Sequence, residues 1–312
     1  MSELILHHYP SSPFSEKVRL ILGYKKLAWK SVIIPAVSPK PDVLALTGGY
    51  RKTPLLQIGS DVYCDTALIC DVLEDLAPTP TLYPGSQQGL NRVLAQWADS
   101  TLFLAAMAYN LQPKGAAALF EGAPPEVLKA FGADRTAMGA GMTRLRPGDA
   151  TVAYQAYVQR LDSMLAGQDF LLGSAPSLAD FSAYHPLWFT ATRVPVMADI
   201  LQSSPQLLAW MARMAAIGYG RMEKYSAIDA IAACAASTRA SSQNSHEFVD
   251  AHGIELGSRV TVAAECFGTE ATEGILIAAT RTRTTLQRND HRAGQVQVHF
   301  PRIGYVLRRA DV

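Results

Sequence analysis

The stretch HHYPSSPFSEKVRLIL, residues 7–22, sets a strand end, a loop of small hydroxyl residues and a helix start side by side. The segment ELILHHY, residues 3–9, mixes β-branched and aromatic side chains and reads as a short strand. Phe14, Val18, Ile21 and Leu22 then recur at helical spacing. Pro13 takes a favoured position in the first helical turn, with Ser12 immediately before it. Such a junction leaves amide N–H groups of the first turn without partners and places the positive end of the helix dipole beside them. The two effects together suit an anion.

Working outward, AWKSVIIP is a strand candidate and PDVLALTGG a short helix closed by paired glycines. PLLQIG and DVYCD, separated by Gly59 and Ser60, predict an antiparallel hairpin. Asp65 then caps a helix carrying Leu68, Ile69, Val72, Leu73 and Leu76 on one face. This β-α-β-α-β-β-α segment spans residues 1–78 and ends in the proline-rich APTPTLYPG, a semi-rigid linker. Residues 86–236 turn helical. Leu90, Val93, Leu94, Trp97 and Leu104 predict one apolar stripe, and Tyr154, Tyr157, Val158, Leu161 and Leu165 another. Between them, residues 121–149 are rich in Gly and Pro and predict broken helices or a mobile excursion. APSLADFSAYHPLWF starts a helix, with Ser177 and Asp180 at capping-box spacing. Beyond the Ser/Ala-rich CAASTRASSQNS, residues 246–312 hold β-branched runs separated by glycines, as in a small antiparallel sheet or barrel.

Composition excludes several classes. Of 312 residues, 49% are hydrophobic and 18% charged, enough for a substantial core. The balance of 28 Lys and Arg against 27 Asp and Glu gives no general pull toward nucleic acid or an anionic membrane. The opening MSELILHHYP shows no secretory leader, and no apolar run reaches the roughly 18 residues of a membrane helix, so a cytoplasmic protein is expected. Cys64, Cys70, Cys234 and Cys266 are too scattered for a redox pair or a zinc site and read as reduced, structural thiols. His246, His252, His291 and His299 show no tight ligand spacing, and no metal site is assigned.

Over residues 3–236 the chain resembles the cytosolic glutathione transferases. Its first element order is similar to that family's thioredoxin-like domain and the following helices to its all-α domain, while SPFSEKVRLIL resembles the active-site segment of the serine- and cysteine-type classes. The fold class expected is therefore α+β and multidomain. It comprises a thioredoxin-like domain at 1–78, an all-helical domain at 86–236 and a small, mostly-β domain at 246–312.

The resemblance implies that Ser12 donates to the glutathione sulfur, with Val18 and Arg19 matching the pair that follows on the helix. It implies that Thr53 and a cis Pro54, in YRKTPLLQIG, pair with the cysteinyl backbone, that Lys52 meets the glycyl carboxylate, and that Asp65 and Thr66, in CDTALI, hold the γ-glutamyl end. Stabilising a thiolate by such contacts is physically adequate: a free thiol has a pKa near 8.5, and each unit of depression takes about 1.4 kcal/mol. A second substrate, a small apolar electrophile, is expected near Phe103, Met107 and Tyr109. Each residue also has a plain structural role: Ser12 and Asp65 as helix caps, Pro54 as a first strand residue, Lys52 as a solvated charge, and the last three as core.

The sequence departs from the family pattern in two ways. Ser at positions 12 and 15 removes the thiol that mixed-disulfide chemistry needs. Residues 246–312 extend beyond an ordinary member. Arg281 and Arg283 would share one strand face there, but Arg equals Asp plus Glu in number over this stretch, which favours a solvated face over a nucleic-acid surface. The expected function is a homodimeric, detoxifying glutathione transferase that uses glutathione as cosubstrate. The alternatives are a glutathione-dependent isomerase or dehalogenase, or a non-catalytic glutathione-binding scaffold whose C-terminal residues recruit a partner.

Overall fold

A computed structural model describes residues 3–85, 87–237, 248–249 and 251–310. His246 and most of the Ser/Ala-rich connector lie outside the described residues. The chain opens with β1 (Ile5–His8), α1 (Pro13–Tyr24), β2 (Ala28–Ile33), α2 (Pro41–Thr47), β3 (Leu55–Ile58), β4 (Asp61–Cys64) and α3 (Thr66–Leu76). β1 runs parallel to β2 and antiparallel to β3, and β3 and β4 form the hairpin. Successive residues of these strands point to opposite faces, and both faces are covered. Leu6, Leu56 and Tyr63 join one core with α1, α3 and the helical domain, while Ile5, Leu55 and Val62 join a second core on the far side.

The helical domain comprises α4 (Gln88–Trp97), α5 (Phe103–Asn110), α6 (Pro113–Leu119), α7 (Pro125–Met138), α8 (Pro147–Met164), α9 (Leu178–Trp188) and α10 (Pro205–Ala216), with a π-type turn at Ala98–Leu102 joining α4 to α5. Asp180 anchors it, accepting from the Ser177 amide and hydroxyl, the Leu171 amide and the Trp210 indole. The stripe on α8 is buried at Tyr154, Val158, Leu161 and Leu165. The stripe expected on α4 is covered only in part: Leu94 and Trp97 are half-buried, Trp97 packing on Tyr157, whereas Leu90, Val93 and Leu104 are 51%, 66% and 43% exposed, and the fully covered face is Asn91, Ala95, Ala98 and Leu102. Small residues and one asparagine carry that interface because α9 packs closely against α4, an arrangement invisible to a search for large apolar residues.

The chain then returns to the sheet. β5 (Arg221–Lys224) pairs parallel to β2 inside the stretch expected to be all-helical; its residues are all exposed, so no alternation of apolar side chains marks it. α11 (Ala227–Ala235) packs on the second core. β6 (Arg259–Ala264), β7 (Thr272–Ala279), β8 (Arg283–Asp290), β9 (Gly294–Pro301) and β10 (Tyr305–Arg309) follow. β6 to β9 form an antiparallel meander, β10 adds to β6, and β9 lies parallel to β4. The ten strands of the described residues make one sheet, ordered β10-β6-β7-β8-β9-β4-β3-β1-β2-β5. The C-terminal strands thus continue the thioredoxin-like sheet, with Val296, Val298 and Phe300 entering the same core as Val32, Leu55 and Val62. Four Cα steps link Pro301 to Tyr305, a reach of about 15 Å, whereas four flat strand spacings would separate β9 from β10 by about 19 Å. The meander therefore curls, bringing the start of β10 back to the end of β9.

Candidate functional site

Strand register gathers the expected site at one end of the sheet. His7 of β1 lies opposite Leu55 of β3, which lies opposite Cys64 of β4. The loop after β1, the approach to β3 and the turn after β4 consequently meet at this end. They carry Ser12, Lys52 to Pro54, and Asp65 with Thr66.

Ser12 is the N-cap of α1. Its Oγ accepts from the Ser15 amide at 3.2 Å, and its hydroxyl proton has no acceptor among the described residues. The loop before it is held from behind by Arg19, which donates to Tyr9 O at 3.5 Å, Pro10 O at 3.1 Å and His8 Nδ1 at 3.1 Å. Glu16 accepts from the same guanidinium at 2.5 Å, and the Tyr219 hydroxyl donates to Glu16 at 2.9 Å. Burial and the adjacent Arg19 charge push His8 down to about 3, which keeps its Nδ1 an acceptor.

Thr53–Pro54 is a cis peptide bond. The Thr53 hydroxyl accepts from Lys40 Nζ at 3.2 Å. Burial, followed by the Arg135 charge, lowers Lys40 to about 8. Arg51 binds both Asp134 of α7 and Glu270 of the β6–β7 loop, while Arg135 reaches Ala36 O at 3.0 Å and the Tyr9 hydroxyl at 3.3 Å. Lys40, Arg51, Lys52 and Arg135 outnumber Asp134, Glu270 and Asp65 around this mouth, a local excess suited to a carboxylate.

Asp65 has φ 75° and ψ 137°, a left-handed conformation uncommon for a residue other than glycine. One carboxylate oxygen caps α3 through the Ala67 amide at 2.9 Å, and the other accepts from the Tyr305 hydroxyl at 2.9 Å. Lys52 Nζ stands 3.9 Å from it and 4.7 Å above the Tyr305 ring. Behind Thr66, buried Lys17 donates to its hydroxyl at 3.4 Å and to Asp99 at 2.6 Å; Asp99 also pairs with His185 at 3.0 Å. Burial opposes the Lys17 charge, yet Asp99 holds its pKa above the usual lysine value.

Phe103 packs against Phe14, ring centroids 4.6 Å apart, and both rings face His185. Met107 is partly buried against the first core. Tyr109 turns to the helical core, donating to Met197 O at 3.1 Å with its ring on Tyr154, and does not join Phe103. Lys40, Tyr50, Asp99, His185 and Tyr305 carry no local signal that marks them in the sequence, and Arg19, which matches the family's pair there, holds the loop before Ser12. The sequence reading also missed Lys17, which does carry a signal: a charge on the apolar face of α1 between Phe14 and Ile21 requires a buried partner.

Among the described residues no group of three His, Cys, Asp or Glu side chains could hold a metal, and no helix is long and apolar enough to cross a membrane. The thioredoxin-like sheet, the helical domain and this cleft define a glutathione-transferase-type architecture. Residues 6–81 match the glutathione S-transferase N-terminal domain and residues 133–213 the C-terminal domain. The crystal structure of a GST-like protein from Pseudomonas syringae is 40% identical, covers 99% of this chain and all of its own, and superposes with a TM-score of 0.82. The chain belongs to the glutathione S-transferase family. FtsZ-localized protein A of Caulobacter vibrioides is 28% identical over 58% of this chain and 74% of its own length. Pyrimidodiazepine synthase of Drosophila melanogaster is 33% identical over 23% of this chain and 31% of its own.

Proposed function

We propose that the protein binds glutathione at this end of the sheet and presents its thiolate to a small apolar electrophile. The observation that carries this reading is Ser12: it caps α1 with its hydroxyl oxygen engaged as an acceptor, and its proton is left to donate to a sulfur anion. The α1 N-terminus adds its dipole to the same point. In the reading, Thr53 and the cis Pro54 pair with the cysteinyl backbone, Lys52 and its basic neighbours meet the glycyl carboxylate, Asp65 takes the γ-glutamyl ammonium and Thr66 its carboxylate. The thiolate then forms a carbon–sulfur bond as a leaving group departs with its electron pair, in the apolar space beside Phe14 and Phe103; Met107 lies on the same helix as Phe103.

Product analysis separates conjugation from isomerisation, which returns free glutathione, and from dehalogenation, which releases halide. The exposed Leu90, Val93 and Leu104 on α4 and α5 support a homodimer through that face. Free Cys64, Cys70, Cys234 and exposed Cys266 suit a reducing cytoplasm. A second reading, a glutathione-binding protein without turnover that docks to a partner, is supported by the similarity to FtsZ-localized protein A, whose name gives a location and no reaction.

The test is a titration of glutathione into wild type and Ser12→Ala, following thiolate ultraviolet absorbance against pH. The transferase reading expects a bound-thiol pKa depressed by one unit or more in wild type and restored in the variant. Unchanged thiol ionisation in wild type would sink it. Depressed ionisation with no consumption of any of a broad set of electrophiles would favour the second reading.

A further inference from the structure

We propose that Tyr305, on the C-terminal strand β10, is a positioning residue for the γ-glutamyl end of the glutathione site, acting through Asp65. This rests on the proposed function and adds to it a residue outside both matched family domains. The topology explains its placement. Because β9 runs parallel to β4, with Tyr63 opposite His299, both strands finish at the sheet end where Asp65 turns into α3. The short turn after Pro301 then delivers Tyr305 as the first residue of β10.

At that point the Tyr305 hydroxyl donates to Asp65 Oδ2 at 2.9 Å, while Oδ1 accepts from the Ala67 amide at 2.9 Å. A carboxylate bonded at both oxygens cannot rotate about its terminal torsion, so its remaining lone pairs keep a fixed direction. A ligand ammonium then meets an acceptor that is already ordered, and binding escapes the cost of ordering it. The Tyr305 ring is itself fixed: it is buried, its hydroxyl lies 3.3 Å from that of Tyr50, Phe300 packs on it at 5.6 Å, and Lys52 caps its face. Burial and then the Asp65 charge raise the phenol far above its usual pKa, so the hydroxyl stays a proton donor at every working pH.

The experiment is calorimetric titration of the full chain with glutathione and with its analogue lacking the γ-glutamyl amino group. Wild type, Tyr305→Phe, Asp65→Asn and the double variant are compared. Phenylalanine keeps the ring in the core, and circular dichroism with a thermal melt verifies the fold. For Tyr305→Phe, glutathione Kd is expected to rise about tenfold, the scale of one hydrogen bond to a charged group. The same change is expected to cost less than twofold in the Asp65→Asn background and less than twofold for the desamino analogue. The bound-thiol pKa should stay at its wild-type value, unlike in Ser12→Ala. Equal losses in both backgrounds, equal losses for both peptides, or no loss would overturn the proposal while leaving the glutathione site standing. A wild type that binds no glutathione would instead overturn the function and this subsite together.

Discussion

His299 of β9 stacks on Tyr63 of β4 with ring centroids 4.5 Å apart and planes 15° from parallel. Its Nε2 meets Asp61 at 2.8 Å and its Nδ1 the Thr285 hydroxyl at 3.0 Å. Burial lowers the pKa of this histidine despite Asp61, so the neutral ring donates from Nε2 to the carboxylate and accepts from Thr285. The joint sits where the C-terminal meander meets the thioredoxin-like strands. His299→Phe keeps the stack but takes the acceptor from the buried Thr285 hydroxyl and one donor from Asp61, and a loss of about 2 kcal/mol is expected. The urea midpoint should fall with an unchanged slope. A separate early transition confined to the meander would contradict a single shared sheet.

Buried Lys17 pairs with the partly buried Asp99 at 2.6 Å, with His185 on the other carboxylate oxygen. Removing one partner leaves an uncompensated charge, and Lys17→Met should cost about 3–5 kcal/mol near pH 8. Burial chiefly holds His185 down in the wild type, Asp99 opposes it, and the Lys17 charge lowers it further. Without Lys17 the histidine pKa is held down less. A depressed folded pKa makes the native state lose stability as pH falls through the unfolded value, near 6.5, and a weaker depression makes the variant lose less than wild type. The deficit of Lys17→Met should therefore shrink between pH 8 and pH 5.5, as read by chemical denaturation.

His7 and His8 are held neutral, with pKa values lowered by burial to about 4 and about 3. The unfolded chain binds these protons near pH 6.5 and the native state does not, so their contribution is complete above that pH and is lost as pH falls toward 4 and 3. Each histidine is expected to add about 1.4 kcal/mol per pH unit to the slope of stability in that window. His8→Gln keeps a polar partner for Ser31 and should lower the slope between pH 6 and pH 4 by about one proton. Parallel curves for wild type and variant would refute the assignment.

A Cβ on Gly49 would lie 2.1 Å from Ala271 O, a backbone atom with no freedom to move aside. Gly49→Ala must separate the α2 turn from the loop entering β7, and a loss of about 2–3 kcal/mol is expected. Gly48, at φ 78°, ends α2 in a left-handed cap, and its Cβ would lie 2.5 Å from Nε of the Arg288 side chain, which can shift where a backbone oxygen cannot, so Gly48→Ala should cost less, about 1–2 kcal/mol. Thermal midpoints of the two variants check the order.

The local signals were legible because each acts over a few residues. The run through Pro13 and Phe14 starts a helix, Gly59 and Ser60 turn a hairpin, and Asp65 caps α3, all by local backbone chemistry. The exposed stripe of Leu90, Val93 and Leu104 shows where that logic ends. Periodicity reports that a helix has an apolar face, and a partner outside the chain can claim that face as readily as the core can.

The sequence by itself determined the element order of residues 1–78, the start of α1, the cap of α3 and the Thr53–Pro54 step. Only the tertiary structure decided that the last strands add to the β4 edge, that Tyr305 reaches Asp65, and that Lys17 finds Asp99. Alternation of side chains marks a strand but not its neighbour, since any exposed edge offers the same N–H and C=O groups. Pairing across 240 residues, as between Asp65 and Tyr305, is settled by how two cores close around one sheet.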